Sequence, residues 1–161
     1  MSATSEFAIA PLRAEDAVAL AGLHQQVMGE ADGWSTPGLA RLLGASAARG
    51  FQASADGKLA AFVLAFAAAD EAEILALCVS PAHRRQGLAR TLLRRLGELL
   101  AGEKATLLHL EVRQSNLEAR QLYAHCGFAK TGRRKTYYGA TDKGPAEDAV
   151  LMSRSLMDYR A

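Results

Sequence analysis

One short turn constrains this chain more than any other stretch. Arg84-Arg85-Gln86-Gly87-Leu88-Ala89 follows an apolar run ending in Val79-Ser80-Pro81 and opens a long amphipathic segment. After the turn, Leu88, Leu92, Leu96 and Leu99, with Leu93 and Leu100, fall on one stripe, while Arg90, Arg94 and Glu98 fall on the other side. That spacing predicts a helix. A helix start leaves several backbone N–H groups without intrahelical acceptors, and the helix dipole adds partial positive charge there. With a glycine in the turn and arginines beside it, the segment reads as a cradle for an anion such as a diphosphate.

The rest of the pattern places this turn inside an alternation of strands and helices. Phe7 to Leu12 reads as a strand, and Ala14 to Met28 has helical spacing through Ala17, Leu20, Ala21 and Leu23. Ser35-Thr36-Pro37 supplies a cap hydroxyl and an early proline, so a second short helix is expected to run to about Ala47. Gly50 to Ala55 and Lys58 to Ala68 read as strands joined through Asp56-Gly57, a favoured hairpin turn. Ile74 to Val79 is a buried-strand run, and Gly102 closes the helix that follows the turn. Thr106 to Val112 alternates as a strand, and Ser115-Asn116-Leu117-Glu118 has the form of a capping box. The helix it starts is expected to reach His125 and stop at Gly127. Lys130 to Tyr138 and Ala146 to Ser155 close the chain as a strand pair, joined by a polar loop through Gly139, Asp142, Gly144 and Pro145. The order β-α-α-β-β-β-α-β-α-β-β predicts an α/β (mixed α+β) fold: a mixed sheet of about seven strands with about four helices, on both of its faces.

At 161 residues, half of them hydrophobic and 22% charged, the chain fits one globular domain, 1–161. A formal charge of +2 does not argue for nucleic acid. The Met1–Glu6 lead lacks the pattern of a signal peptide, and the Leu59–Ala69 run is too short to span a bilayer as a helix. Cys78 and Cys126 have no ligand-like spacing, so two reduced thiols in a cytoplasmic protein are expected, with no metal.

Three residues carry candidate chemistry. Glu111 is a carboxylate within an otherwise apolar strand. It is either a solvated edge residue paired with Arg113 or a neighbouring strand, or a base in a partly dry cleft with its proton affinity raised. Tyr123 lies two helical turns beyond Asn116, on the same face. It is either a core aromatic beside Leu122 or a phenol able to protonate a leaving group. Asn116 either makes a local turn hydrogen bond or contacts an extended amide-bearing ligand.

Together, Val79-Ser80-Pro81-Ala82-His83-Arg84-Arg85-Gln86-Gly87-Leu88-Ala89-Arg90, Leu110-Glu111-Val112-Arg113-Gln114-Ser115-Asn116 and Leu122-Tyr123-Ala124-His125-Cys126-Gly127-Phe128 resemble the Gcn5-related N-acetyltransferases. Gly33-Trp34-Ser35 and Arg133-Arg134-Lys135-Thr136-Tyr137-Tyr138 before Glu147-Asp148-Ala149 extend the likeness over nearly the whole chain. Within that superfamily it is most similar to the bacterial acetyltransferases of the N-terminal alanine of ribosomal protein S18.

The resemblance implies acetyl-CoA as co-substrate, no metal, and a protein N-terminus, that of S18, as partner. It implies a monomer or weak dimer in the cytoplasm, with neither nucleic acid nor membrane. Backbone groups of Leu77, Cys78 and Val79 would pair with the pantetheine arm where two strands splay, and donors near Val79 would serve the developing oxyanion. Arg84, Arg85, Gln86, Gly87, Leu88, Ala89 and Arg90 would hold the diphosphate, and Asn116 would contact the pantetheine. Glu111 would be the general base, Tyr123 the general acid, and Trp34, Tyr137 and Tyr138 would shape the acceptor groove. His109 and His125 are expected to be structural. Two positions depart from the pattern: Ala89 stands where relatives often have glycine, and Gly139 where they tend to have proline after the tyrosine pair. A small-molecule amine or another protein N-terminus stays open as the acceptor.

Overall fold

A computed structural model of the chain describes residues 6–140 and 144–160. Most of the Met1–Glu6 lead, and Asp142 of the expected loop, lie outside them. The elements run β1 (Ala8–Pro11), α1 (Ala17–Met28), α2 (Thr36–Gly44), β2 (Ala48–Ala55), β3 (Lys58–Ala68), β4 (Glu71–Val79), α3 (Leu88–Gly102), β5 (Leu107–Arg113), α4 (Leu117–His125), β6 (Ala129–Tyr138) and β7 (Glu147–Ser155). This is the order expected from the sequence. The strands form one seven-stranded sheet ordered β1-β2-β3-β4-β5-β7-β6. β4 and β5 are parallel, and α3 is the crossover that a parallel pair requires. The β1–β2, β2–β3, β5–β7 and β6–β7 pairs are antiparallel.

The chain divides into two compact units. The first takes the residues up to Ala67 together with Leu75–Leu96, and the second takes Ala68–Ile74 with everything from Gly97 onward.

In the first unit, Leu20, Leu23, Leu39, Phe62, Leu64 and Cys78 form a buried cluster. Ser35 caps α2 by accepting the Gly38 N–H at 3.1 Å. The helix stops at Gly44, three residues short of the expected Ala47, because the chain turns extended at Ala45 and enters β2 at Ala48. The β2–β3 hairpin has two central residues, Asp56 and Gly57, both with positive φ (50° and 74°). That is the turn whose twist suits paired strands. Gly50 is demanded by packing, since a Cβ there would collide with the Val63 carbonyl oxygen.

In the second unit, β5 alternates as expected: Leu108, Leu110 and Val112 are buried, while Leu107, His109 and Glu111 are only partly covered. β4 begins at Glu71, earlier than the expected Ile74, because its polar first residues Glu71–Glu73 are held in register by Leu107–His109 of β5. The expected capping box is also revised. Asn116, not Ser115, caps α4 by accepting the Ala119 N–H at 3.1 Å. Ser115 is engaged elsewhere: its N–H and hydroxyl both donate to Glu147, at 3.1 and 2.8 Å.

The far end of α4 explains why Tyr123 and Phe128 occur together. Gly127 (φ 88°) donates its N–H to Ala124, and Phe128 donates its own to Tyr123. This is a Schellman stop, and its usual hydrophobic clasp is here the edge-on contact of the Tyr123 and Phe128 rings, 5.6 Å between centroids. No helix among the described residues is long and apolar enough to cross a membrane.

Candidate active site

In the first unit, the candidate anion cradle follows β4 through a short 3₁₀ turn, Pro81–His83. Arg85 (φ 61°) and Gly87 (φ 80°) both adopt left-handed backbone, which turns the chain sharply into α3. The first intrahelical bond runs from the Thr91 N–H to the Gly87 carbonyl at 3.0 Å. The N–H groups of Leu88, Ala89 and Arg90 therefore precede the helical ladder and have no acceptor within it. Arg84, Arg85, Gln86 and Arg90 are exposed around them, while Leu88 is anchored in the interior at 4% exposure. The ring of His83 packs edge-on against Phe7. Its Nδ1 is enclosed without a hydrogen-bond partner, unlike any other buried side-chain polar atom among the described residues. A cradle of backbone donors ringed by guanidinium groups fits a diphosphate.

Of the remaining first-unit candidates, Leu77 and Val79 are half-buried on β4 and Cys78 is buried between them. The registered β4–β5 ladder ends at Glu73, so it uses none of the Leu77–Val79 amides. Burial pushes the Cys78 thiol up to about 12, so it stays protonated and is a poor nucleophile. Trp34 stacks flat on His24, 4.2 Å between centroids and 5° from parallel, and donates its backbone N–H to His24 Nδ1 at 3.0 Å. Gln25 holds the Trp34 carbonyl at 3.0 Å. Burial lowers the pKa of His24, which keeps the ring neutral and able to accept that bond.

In the second unit, the structure brings Glu111, Tyr137 and Tyr138 into one neighbourhood. The Glu111 carboxylate is 16% exposed and lies 3.0 Å from Nε of Arg134. Arg134 in turn lies over the ring of Tyr137, and Arg113 over that of Tyr138 at 4.2 Å. The two tyrosine rings meet edge-on at 5.2 Å. Tyr138 has its pKa raised, first by burial and then by the negative charge of Glu111. Glu147 ties the start of α4 to this strand pair. Ser115 hydrogen bonds hold its carboxyl below the usual range, and Arg113 adds to the effect from 3.8 Å.

Glu111 and Arg134 also line a cavity of about 400 Å³ with Glu71, Glu73, His109 and Leu151 among its walls. His109 bridges Ser153 (2.6 Å from Nδ1) and Glu71 (3.1 Å from Nε2), and His125 is bonded to the Gln121 carbonyl. Both histidines thus have structural partners. Tyr123 is nearly enclosed by its Phe128 clasp. Asn116 uses its Oδ1 to cap the helix, the local bond that its residue type allowed, and its Nδ2 remains a donor for a ligand. Among the described residues, no cluster of three or more His, Cys, Asp or Glu is placed to hold a metal ion.

Sequence reasoning missed the pairing partners Arg134, Glu147 and Glu71. Arg134 was visible only as one of a basic run, Arg133-Arg134-Lys135, which gave no hint of which member turns inward.

Comparison with known proteins accords with this architecture. The chain is 41% identical over 103 residues to the [ribosomal protein bS18]-alanine N-acetyltransferase of Escherichia coli (strain K12), covering 64% of this chain and 68% of that one. It is 42% identical over 93 residues to the protein of that name from Haemophilus ducreyi, covering 58% and 63%. The crystal structure of the E. coli ribosomal-protein-S18-alanine N-acetyltransferase superposes with a TM-score of 0.85 at 34% identity, over 94% of each chain. The sequence model of the acetyltransferase (GNAT) family matches residues 18–128, and with an interior carboxylate on β5 and a glycine-turned helix start after β4, this chain belongs to that family of acyl-transferring enzymes.

Proposed function

We propose that this protein transfers the acetyl group of acetyl-CoA to the N-terminal α-amine of a protein, with the N-terminal alanine of ribosomal protein bS18 as its acceptor. The observation that carries the reading is Glu111: a strand carboxylate, mostly enclosed, on the wall of a cavity beside Tyr138. The acceptor is inferred from the names of the E. coli and H. ducreyi relatives. In this reading the chain, 1–161, is one N-acetyltransferase domain, a monomer or weak dimer working in the cytoplasm on protein rather than on nucleic acid or membrane.

Most of the residues that bind the co-substrate belong to the first unit. The N–H groups of Leu88, Ala89 and Arg90, with Arg84, Arg85, Gln86 and Gly87, hold the diphosphate, and the amides of Leu77, Cys78 and Val79 hold the pantetheine arm as a strand would. Asn116 adds its Nδ2. Acetyl-CoA supplies an acetyl group activated as a thioester.

The second unit supplies proton transfer. A protein α-amine has a pKa of about 7.7–8.0, so much of it arrives protonated at neutral pH. Glu111 takes that proton, directly or through one water, and leaves a neutral amine to attack. The Tyr123 hydroxyl gives its proton to the departing thiolate. Trp34, Tyr137 and Tyr138 confine the first residue of the acceptor. Transfer is direct, because the protonated Cys78 offers no thiolate for an acyl-enzyme.

The test is mass spectrometry of a peptide beginning with alanine after incubation with acetyl-CoA and the protein. Acetylation confined to the α-amine is expected. Acetylation of small amines with none on the peptide would move the acceptor to that class.

A further inference from the structure

Arg134 has no place in the chemistry above, yet it touches the residue at its centre. Its Nε lies 3.0 Å from Glu111 Oε1, and among the described residues no other ion pair is seen at that carboxylate. The contact is not between chain neighbours. Arg134 sits on β6, which pairs with β7, which in turn pairs with β5. Arg134 is opposite Ala149 and Glu111 is opposite Leu151, so the guanidinium reaches diagonally over β7, across a row kept low by Ala149.

The two partners are unequally held. Glu111 is 16% exposed and fixed in the middle of a strand, whereas Arg134 is 55% exposed on an edge strand. β6 loses its regular register between Arg134 and Tyr138, and Thr136 within that stretch has φ 52°. The guanidinium also lies over the Tyr137 face, 5.2 Å away, and it lines a cavity that Glu71 and Glu73 line as well. An ion pair with one exposed partner is worth little in water, so exchanging it for another cation costs little.

We propose that Arg134 occupies, in the acceptor-free protein, the place at Glu111 that the protonated α-amine of the acceptor takes on binding, so that acceptor entry is an exchange of one cation for another. Arg134 is then a positioning residue. It keeps the carboxylate in place, and it sets a threshold that only a cationic amine can cross by replacing it. A neutral amide or a blocked N-terminus has no charge with which to displace it. The inference rests on Glu111 being the base and deepens that reading.

The experiment is steady-state kinetics with an alanine-initiated peptide and acetyl-CoA, comparing Arg134→Gln, Arg134→Lys and Arg134→Ala with the parent protein. Removing the competing cation in Arg134→Gln lowers the peptide KM about two- to fivefold, the range set by a surface ion pair. The KM for acetyl-CoA does not move, and kcat changes by less than about twofold on the same grounds. Arg134→Lys keeps a cation and retains the parent KM. Added methylguanidinium inhibits Arg134→Ala competitively against peptide and noncompetitively against acetyl-CoA. A peptide KM that is unchanged or raised in Arg134→Gln, or methylguanidinium without effect on Arg134→Ala, overturns the exchange. A parallel Glu111→Gln variant separates the two claims. If it is inactive while Arg134→Gln behaves as the parent, only the role of Arg134 falls; if it keeps full rate, the base assignment falls first.

Discussion

The two units solve their parts of the task with different parts of the polypeptide. In the first, the candidate co-substrate cradle is mostly backbone: the N–H groups of Leu88, Ala89 and Arg90 ahead of the first α3 bond, set by left-handed Arg85 and Gly87. In the second, the candidate chemistry is all side chain: Glu111 on β5 and Tyr123 on α4, with Arg134, Tyr137, Tyr138 and Arg113 arranged around Glu111 by charge and ring contacts. Backbone recognition tolerates side-chain change but not a change of conformation. A side-chain site has the opposite sensitivity. The difference also decides how each leaves a trace in sequence, because a backbone cradle is one contiguous motif and a side-chain site is scattered.

The comparison is broken most forcefully at Glu111. Glu111→Gln keeps shape and removes the base. The expected outcome is a fall in kcat of about 10²- to 10⁴-fold, with acetyl-CoA affinity measured by calorimetry left within about twofold, since the cradle uses other residues. A parallel loss of co-substrate binding would mean that the division of labour is wrong. Tyr123→Phe comes next. It keeps the Phe128 clasp and removes only the hydroxyl, so kcat should drop about 10²-fold. A rate equal to the parent would assign the tyrosine to packing alone.

Gly87→Ala probes the backbone half. There is open space around a Cβ at this position, so the penalty is conformational: φ is 80°. Such strain costs about 1–2 kcal/mol, and relief by reshaping the turn would weaken acetyl-CoA binding about tenfold with kcat at saturation retained. The variant binding as tightly as the parent would show that the cradle does not depend on that turn.

The smallest effect sharpens the comparison through stability. His24 has a pKa lowered by burial, so the unfolded chain binds its proton more readily than the folded one. Its contribution is therefore complete above the ordinary histidine value and is lost as pH falls below it through the folded value. A thermal midpoint lower by about 2–4 °C at the acid end is expected, with Trp34 fluorescence reporting the change. The slope should flatten in His24→Asn. An unaltered slope would separate the Trp34 stack from the titration.

Legibility followed the same division. The order of all eleven strands and α-helices was readable, because strand alternation and helical stripes are local periodicities. The β2–β3 turn, the Gly127 stop and the Gly87 turn were readable because each requires a left-handed backbone, and glycine advertises it. The start of α4 misled because Ser115 and Asn116 are both good caps. The decision lay with Glu147, which is 32 residues away and takes both donors of Ser115. Trp34 read as an acceptor-groove aromatic, and its stacking on His24 became visible only in the fold.

By itself, then, the amino-acid order determined where strands and helices fall, where the chain must turn, and that a helix begins on a glycine amid arginines. These follow from backbone sterics and short-range periodicity, which neighbouring residues settle among themselves. Only the tertiary structure decided that Arg134, of three consecutive basic residues, reaches Glu111, that Glu147 captures Ser115, and that Tyr138 senses the Glu111 charge. Those outcomes depend on the register of β5, β6 and β7, and register is set by which faces the whole sheet buries.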